Sequence, residues 1–226
     1  MGDIELYMTE DGSYTLFNSE KKEHYHSVHG AVQESRHVFI QAGLSEISAV
    51  KENLRILEVG FGTGLNAFLT LLEKEKLKES RNLKIDYVGL EPYLIPQNMI
   101  LQLKYAEYLE AVNLHEHFMN MHMNIGIRQV LDEKFTFTLI KERLEDYNPS
   151  DHFDLIYFDA FSPNTEAGLW DIGNLDKIYS LMNPGGILVT YCSKGVVRRA
   201  MQGCGFITER LPGPPGKHEM LRARKN

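Results

Sequence analysis

The 226-residue chain contains only two cysteines, Cys192 and Cys204. Their spacing matches neither a zinc-binding pair nor a disulfide framework, so we expect a reducing, cytoplasmic setting. No apolar run approaches the length that a bilayer requires, and the acidic N-terminus lacks the order of a secretory signal. These absences predict a globular protein with no membrane partner.

Basic charge is also scarce, except at the C-terminal end. The formal net charge is -7, which argues weakly against a nucleic-acid partner because phosphate contacts need Lys and Arg. From Lys194 to Asn226, however, eight Lys or Arg stand against two Glu, so this tail carries +6. A polyanion would have to dock there, although a solvated basic helix and strand on an acidic body is an equal alternative.

Apolar strands that alternate with helical stretches predict the fold. Strands are predicted at 55–60, 84–90, 136–140, 153–161 and 185–191, and helices at 30–42, 65–78, around 96–107 and at 194–203, the last capped by Ser193. This alternation is typical of an α/β, Rossmann-like, mostly parallel doubly wound sheet. A last pair at 206–211 and 219–224, joined by a Pro- and Gly-rich loop, predicts an antiparallel C-terminal hairpin at one edge.

The segment LEVGFGTGLN, residues 57–66, places Glu58 before Gly60, Gly62 and Gly64. Glycines at the end of a strand let the backbone approach a ligand closely. Leu65 breaks the G-x-G-x-x-G spacing of a dinucleotide fingerprint, so a nicotinamide dehydrogenase ranks last. An acid in front of the loop suits an ammonium group, such as the amino acid end of S-adenosylmethionine, better than a diphosphate.

Two more acids close predicted strands. Glu91 ends KIDYVGLE, where a carboxylate can accept both ribose hydroxyl protons. Asp159 ends an apolar run in YFDAFSP, with Phe161 and Pro163 as a stiff lip, and can orient an amine and take its proton. The alternative to a cofactor pocket is a plain glycine turn with solvated acids. The alternative role of Asp159 is only to cap the next turn.

Several longer motifs resemble one family, the methyltransferase domain of the bacterial tRNA-modifying enzyme MnmC. They are GFGTGLN (60–66), FDAFSPNTEAGLW (158–170), MNPGGILVTY (182–191), SKGVVRRAMQGCGF (193–206) and GKHEML (216–221). HYHSVHGAVQESRHVF (24–39) is similar to the same domain's N-terminal segment, and the resemblance is weakest from 74 to 134. It implies methylation, by S-adenosylmethionine, of the aminomethyl group of the tRNA wobble uridine, which gives 5-methylaminomethyl-2-thiouridine.

The resemblance also implies a role for individual residues, with Asp159 as the catalytic group. The implied cofactor-binding residues are Glu58, Gly60, Phe61, Gly62, Thr63, Gly64, Asn66, Glu91, Glu142 and Asp159. The implied substrate-binding residues are Tyr25, Arg36, Phe161, Pro163, Trp170, Lys194, Arg198, Arg199, Lys217 and His218, the basic ones contacting the anticodon stem-loop of tRNA. Core packing is an equal alternative for Trp170. Lys141 and Glu142 stand where many enzymes of this fold have a small residue and Asp near the adenine.

The predicted organisation is a single domain over residues 1–226, with an N-terminal lid at 1–50 and a Rossmann-like core at 51–226. Two-domain MnmC carries a flavin-dependent oxidase, whereas this chain ends just after the methyltransferase part. We therefore expect no flavin, and upstream aminomethyl-forming enzymes that supply the substrate. The histidines lack the spacing of metal ligands, so we expect no metal.

Two other functions remain open at this level. A methyl or aminopropyl transferase acting on a small free amine would use the same loop and Asp159 but would not need the basic tail. A non-catalytic RNA- or cofactor-binding module would have no physical reason to keep Glu58, Glu91 and Asp159 together.

Overall fold

The computed structural model describes residues 4–77 and 82–226, and in this part an eight-stranded sheet forms the centre of the molecule. A separate three-stranded sheet, in the order β1-β2-β3, belongs to the N-terminal segment. The strands are β1 Ile4–Met8, β2 Tyr14–Asn18, β3 Glu23–His24, β4 Asn53–Val59, β5 Lys84–Leu90, β6 Gln129–Asp132, β7 Phe135–Ile140, β8 Phe153–Phe158, β9 Met182–Thr190, β10 Ile207–Pro212 and β11 Glu219–Arg224.

The large sheet has the order β10-β11-β9-β8-β4-β5-β7-β6. Its five central strands, β9, β8, β4, β5 and β7, are parallel, and their interior residues are mostly buried. Burial on both faces explains the nearly continuous apolar runs in the sequence. The β10–β11 pair is antiparallel and lies at the edge, so the predicted sheet and its C-terminal hairpin are confirmed.

Helices cover both faces of this sheet. They are α1 Ala31–Ser35, a π-helical stretch Arg36–Ser45, α2 Glu46–Ser48, α3 Leu65–Leu77, α4 Gln97–Ile100, α5 Tyr105–Tyr108, α6 His115–Met123, α7 Ile172–Leu181 and α8 Gly195–Gly203, with 3-10 turns at Val112–Leu114 and Ala167–Trp170.

Two helix predictions need correction. The helix predicted at 30–42 continues through the π-helical stretch to Ser48. The helical segments predicted around 96–107 are two short helices, α4 and α5, and the second begins after Lys104, whose φ is 50°. Ser193 does not cap α8, because the chain enters that helix one residue later, at Lys194, without a side-chain cap. The predicted end of the second helix, Lys78, lies outside the described residues.

The topology brings the carboxyl ends of β4, β5 and β8 to the same edge of the sheet. β4 lies between β5 and β8, and all three run in the same direction. Successive residues of β4 pack into different hydrophobic clusters, Ile56 on one face and Leu57 on the other. Polar groups at the ends of these strands therefore lie close together at one edge of the sheet.

None of the helices in the described part of the chain is long and apolar enough to cross a bilayer.

Candidate functional site

A cavity of about 770 Å³ opens at the carboxyl ends of β4, β5 and β8. This volume lies in the range of small-molecule sites. Of the residues predicted to bind cofactor or substrate, the cavity wall contains Gly60, Gly62, Glu91, Glu142, Asp159, Tyr25, Phe161 and Lys217. The structure thus brings together residues from both ends of the chain.

The loop after β4 has three glycines with left-handed backbone, and two of them, Gly60 and Gly62, line the cavity. Gly60 and Gly62 have φ angles of 88° and 47°, in the left-handed region that favours glycine. A Cβ atom on Gly60 would lie 2.5 Å from the backbone oxygen of Asp159, and one on Gly62 would lie 3.0 Å from the ring of Tyr25. The loop therefore threads between the end of β8 and the N-terminal segment, with bare backbone towards the cavity.

Glu91 is a fixed carboxylate beside this loop. Its Oε2 accepts a hydrogen bond of 2.9 Å from the backbone N–H of Gly62, and its Oε1 accepts one of 2.9 Å from the N–H of Tyr93. Burial raises the pKa of Glu91 to about 7, although both hydrogen bonds favour the charged form. The carboxylate is thus held rigidly in the cavity wall, where the prediction of a ribose contact places it.

Asp159 lies across the loop, at the end of β8. Burial, followed by the negative charge of Glu34, raises the pKa of Asp159 to about 7. The Asn66 Nδ2 group donates to Asp159 Oδ2 at 2.7 Å and to Glu58 Oε1 at 2.9 Å. One amide therefore bridges the carboxyl groups at the ends of β4 and β8.

The structure corrects the role predicted for Glu58. This side chain is 0% exposed and lies outside the cavity wall, because it points into the core, where the Tyr87 hydroxyl donates to its Oε2 at 2.8 Å. Burial raises the pKa of Glu58 well above its ordinary value. Glu58 therefore holds Asn66, and through it Asp159, instead of facing a ligand.

Three other residues of this loop that are predicted to bind the cofactor lie on its core-facing side. Thr63 is buried, and its Oγ1 is 2.6 Å from His26 Nε2. Phe61 is buried against Gly89, and a Cβ on Gly64 would meet the Phe61 and His122 rings. These residues face the core because the loop turns its backbone, not its side chains, to the cavity. They position the loop.

The N-terminal segment forms one wall of the cavity. The Tyr25 ring packs edge-on against Phe161, with centroids 5.0 Å apart. The Glu23 carboxylate accepts hydrogen bonds from the Ser162 N–H at 3.0 Å and from the Ser162 hydroxyl at 3.1 Å. Lys21 forms an ion pair with Glu166. These hydrogen bonds and this ion pair hold the N-terminal segment against the loop after β8.

Two predicted substrate residues have other roles. Trp170 is 4% exposed and lies outside the wall, and its Nε1–H donates to the Phe161 carbonyl oxygen at 2.8 Å, so it supports Phe161 from behind. Arg36 is exposed and outside the wall, whereas Glu34 lines the cavity. Two residues along a helix differ by about 200° in direction, which explains why only one of them faces the cavity.

None of the remaining predicted substrate residues lines the cavity. Pro163 follows Phe161 in the loop after β8, and Lys194 Nζ donates to Asn164 Oδ1 at 2.7 Å. Arg198 and Arg199 lie on α8, and His218 lies on the loop before β11. Of these, Lys194, Arg199 and His218 are exposed.

The sequence interpretation missed several residues of the wall. Tyr93 follows Glu91 by two residues and Arg143 follows Glu142, so their proximity to predicted residues was a usable signal. The Arg143 guanidinium lies 5.4 Å from the centre of the Tyr93 ring. Glu34 precedes the predicted Arg36 by two residues and Tyr191 precedes the predicted Lys194 by three, although long-range packing decides that they face the cavity.

The chemistry of this wall fits a cationic, amino-acid-bearing ligand. It combines open glycine backbone with the carboxylates of Glu91 and Asp159, which suit an ammonium or a sulfonium group. Within residues 4–77 and 82–226, no group of three or more His, Cys, Asp or Glu is placed to hold a metal ion.

Comparison with known proteins matches this chemistry. The family model described as S-adenosyl-L-methionine-dependent methyltransferase matches residues 99–226. An uncharacterized protein of Methanocaldococcus jannaschii is 29% identical over 98% of the chain and 59% of its own length. The tRNA 5-methylaminomethyl-2-thiouridine biosynthesis bifunctional protein MnmC of Cupriavidus metallidurans is 28% identical over 97% of the chain. The chain spans 34% of that protein, and the resemblance to the MnmC methyltransferase domain is confirmed.

Solved structures show the same architecture. MNMC2 from Aquifex aeolicus has a TM-score of 0.74 at 23% identity, covering 99% of this chain and 71% of its own. Spermidine synthase from Thermotoga maritima has a TM-score of 0.61 at 12% identity, covering 99% of this chain and 69% of its own. At these identities the likeness shows the fold, and S-adenosyl-L-methionine is the cofactor that the family description gives.

The amide bridge generates a first prediction. Asn66→Ala should lower catalytic turnover by about 10- to 100-fold, because Asp159 and Glu58 lose the donor that fixes both. Binding of S-adenosyl-L-methionine should change much less, since Asn66 lies outside the cavity wall. Steady-state turnover and calorimetric cofactor binding measure the two effects.

Thr70→Val is the matched control for this prediction. Thr70 lies one turn further along α3, and its hydroxyl donates to the Asn66 carbonyl oxygen without touching Asp159. A similar loss of turnover in both variants, or a loss of cofactor binding in Asn66→Ala, would contradict the positioning role.

Proposed function

The chain belongs to the family of S-adenosyl-L-methionine-dependent methyltransferases, and we propose that it methylates the aminomethyl group of the tRNA wobble uridine, giving 5-methylaminomethyl-2-thiouridine. The observation that carries the proposal is Asp159, a half-buried carboxyl group in the cavity wall next to the glycine loop. Its pKa of about 7 suits a group that must take a proton near neutral pH.

An amine acceptor explains why such a group is needed. When bound, S-adenosyl-L-methionine supplies an electrophilic methyl carbon on a sulfonium. An alkylammonium with a pKa near that of Lys must first become neutral, at a cost of about 4–5 kcal/mol at pH 7. Asp159 accepts this proton, while Asn66 holds its other oxygen at 2.7 Å and so fixes the direction of the carboxyl group. The chain's contribution is to bind, orient and deprotonate the amine.

The relatives support tRNA as the substrate, since the curated ones include proteins named for tRNA 5-methylaminomethyl-2-thiouridine biosynthesis. The basic tail supports it less than its charge suggests. Four of its eight basic side chains form ion pairs inside the protein: Arg210 with Glu219, Lys217 with Glu34, Arg222 with Glu209, and Arg224 with Glu46. We assign the tRNA contact mainly to Lys194, which precedes α8, and to Arg198 and Arg199 within it, together with His218 in the loop before β11.

The charge of the cavity favours a second candidate, a small free amine. The wall contains eight Asp or Glu side chains against three Lys or Arg. Such a wall attracts a cation and repels phosphate. An aminomethyl group on tRNA satisfies the same preference, provided that the phosphates stay outside the cavity.

Labelled methyl transfer to tRNA that lacks only the final methyl group tests the proposal. We expect incorporation at the wobble uridine, and a loss of about 100- to 10,000-fold in Asp159→Asn, which keeps the shape of the side chain but cannot take the proton. Asp171→Asn, at the cap of α7, is a control of the same chemistry away from the cavity. Labelling of free amines without tRNA would favour the second candidate.

The raised pKa values predict how activity depends on pH. Below about pH 7, Asp159 is protonated and cannot accept the amine proton, so kcat/KM should fall about tenfold per pH unit. Glu91 titrates in the same range. Glu91→Gln should therefore keep a falling limb that belongs to Asp159. A wild-type profile that stays flat down to pH 5 would contradict the assignment.

Charge reversal tests the tRNA contact. Arg198→Glu with Arg199→Glu should weaken tRNA binding at least about tenfold, because two phosphate contacts become repulsive, and should spare cofactor binding. The matched control is Lys84→Glu with Arg128→Glu, since both side chains are exposed and line a second cavity at the start of β5, the opposite end of that strand from the candidate site. Equal tRNA affinity in both double variants would contradict the contact.

A further inference from the structure

Part of the cavity wall is formed by two oppositely charged residues that come from opposite ends of the chain. Glu34 comes from α1, and Lys217 comes from the loop between β10 and β11. The two form an ion pair, and both line the cavity together with Asp159 and Tyr191. The pair therefore lies in the part of the site that an acceptor would occupy.

The carboxylate of this pair is buried and fixed. Glu34 is 5% exposed, and its Oε2 accepts a hydrogen bond of 2.7 Å from the Ser27 N–H. A buried carboxylate is stable only next to a cation or several donors. Lys217 Nζ provides the positive charge at Oε1.

An aromatic ring completes the surroundings of the ammonium. Lys217 Nζ lies 3.9 Å from the centre of the Tyr191 ring. The Tyr191 hydroxyl donates to the Ala160 carbonyl oxygen at 2.8 Å, which fixes the ring next to Asp159. A carboxylate and an aromatic face together bind an ammonium group well.

Of the two residues in the ion pair, Lys217 is the one whose side chain can move away. Its side chain is 30% exposed, against 6% for Glu34, and it ends a flexible four-carbon stem. Lys21 makes a comparable pair with Glu166 near Phe161, but the side chain of Glu166 is 25% exposed and can be solvated without a cation. Only the Glu34 pair combines a buried carboxylate with a neighbouring Asp159.

We propose that Glu34 and the Tyr191 ring form a subsite for the alkylammonium group of the acceptor, and that Lys217 occupies this subsite until the acceptor displaces it. The inference rests on the proposed function, because it assumes an amine acceptor. It assigns Glu34 to binding the ammonium, whereas Asp159 takes its proton. Displacement would also free Lys217 at the mouth of the cavity.

Refilling of a truncated side chain tests the subsite directly. In Lys217→Ala, n-butylammonium, which has the charge of the missing group and is one carbon longer than the atoms removed, should bind at least about tenfold more tightly than to the wild type, as measured by calorimetry. Glu34→Gln in the same variant should remove the gain, and n-butanol, the uncharged analogue, should not compete. Lys225→Ala is the matched control, because Lys225 lies 4.8 Å from the Tyr179 ring but donates to two carbonyl oxygens.

The alternative to a binding subsite is a purely structural role for the Glu34–Lys217 ion pair. If the pair only joins the N-terminal segment to the hairpin, Lys217→Ala will lower the melting temperature without gaining affinity for n-butylammonium, which would overturn the proposal. Lys217→Ser, whose small polar side chain leaves similar room for an ammonium beside Glu34, replaces the alanine variant if the latter does not fold. Butylammonium binding in a protein that does not methylate tRNA would keep the subsite and remove only the tRNA acceptor.

Discussion

The full or partial burial of three carboxyl groups at the ends of neighbouring parallel strands is the constraint on which the rest of the site depends. Glu58, Glu91 and Asp159 end β4, β5 and β8, and burial raises the pKa of each. Like charges in a poorly solvated region repel one another, so the fold must supply donors. It does so with the backbone of the glycine loop, which donates to Glu91, and with Asn66, which serves the other two. The same burial leaves groups that change charge near neutral pH and that favour a cationic ligand.

The second feature of the site is that its outer wall comes from elements distant in sequence. The N-terminal segment supplies Tyr25 and Glu34, and the loop before β11 supplies Lys217. These elements join through the Glu34–Lys217 pair and through the contacts of Glu23 with the loop after β8. The parallel strands therefore fix one side of the cavity, whereas the opposite side depends on how the two ends of the chain pack together.

The sequence predicted the sheet and the strand-end acids well, because both follow from local patterns. Apolar runs marked the buried strands, and Glu91 and Asp159 closed two of them. The direction of a side chain at a strand end is not a local property, which is why Glu58 was assigned to the ligand although it points towards Tyr87. The positive charge of the tail overstates how many basic side chains are available to tRNA, because ion pairs such as that of Arg224 with Glu46 form only in the folded chain. Arg36 was predicted in place of Glu34, two residues before it, because only the packing of the folded chain decides which of the two faces the cavity.

The proposed reaction requires that Asp159, a half-buried carboxyl group, takes a proton near neutral pH. Its ionisation can be followed by the carbon-13 resonance of its carboxyl group in protein labelled at aspartate, with Asp159→Asn to assign the signal. We expect a titration midpoint near pH 7 for Asp159 in the free protein. A midpoint near the ordinary value of about 4 would contradict it, because such a weakly basic carboxylate would only orient the amine and would not be tuned to deprotonate it.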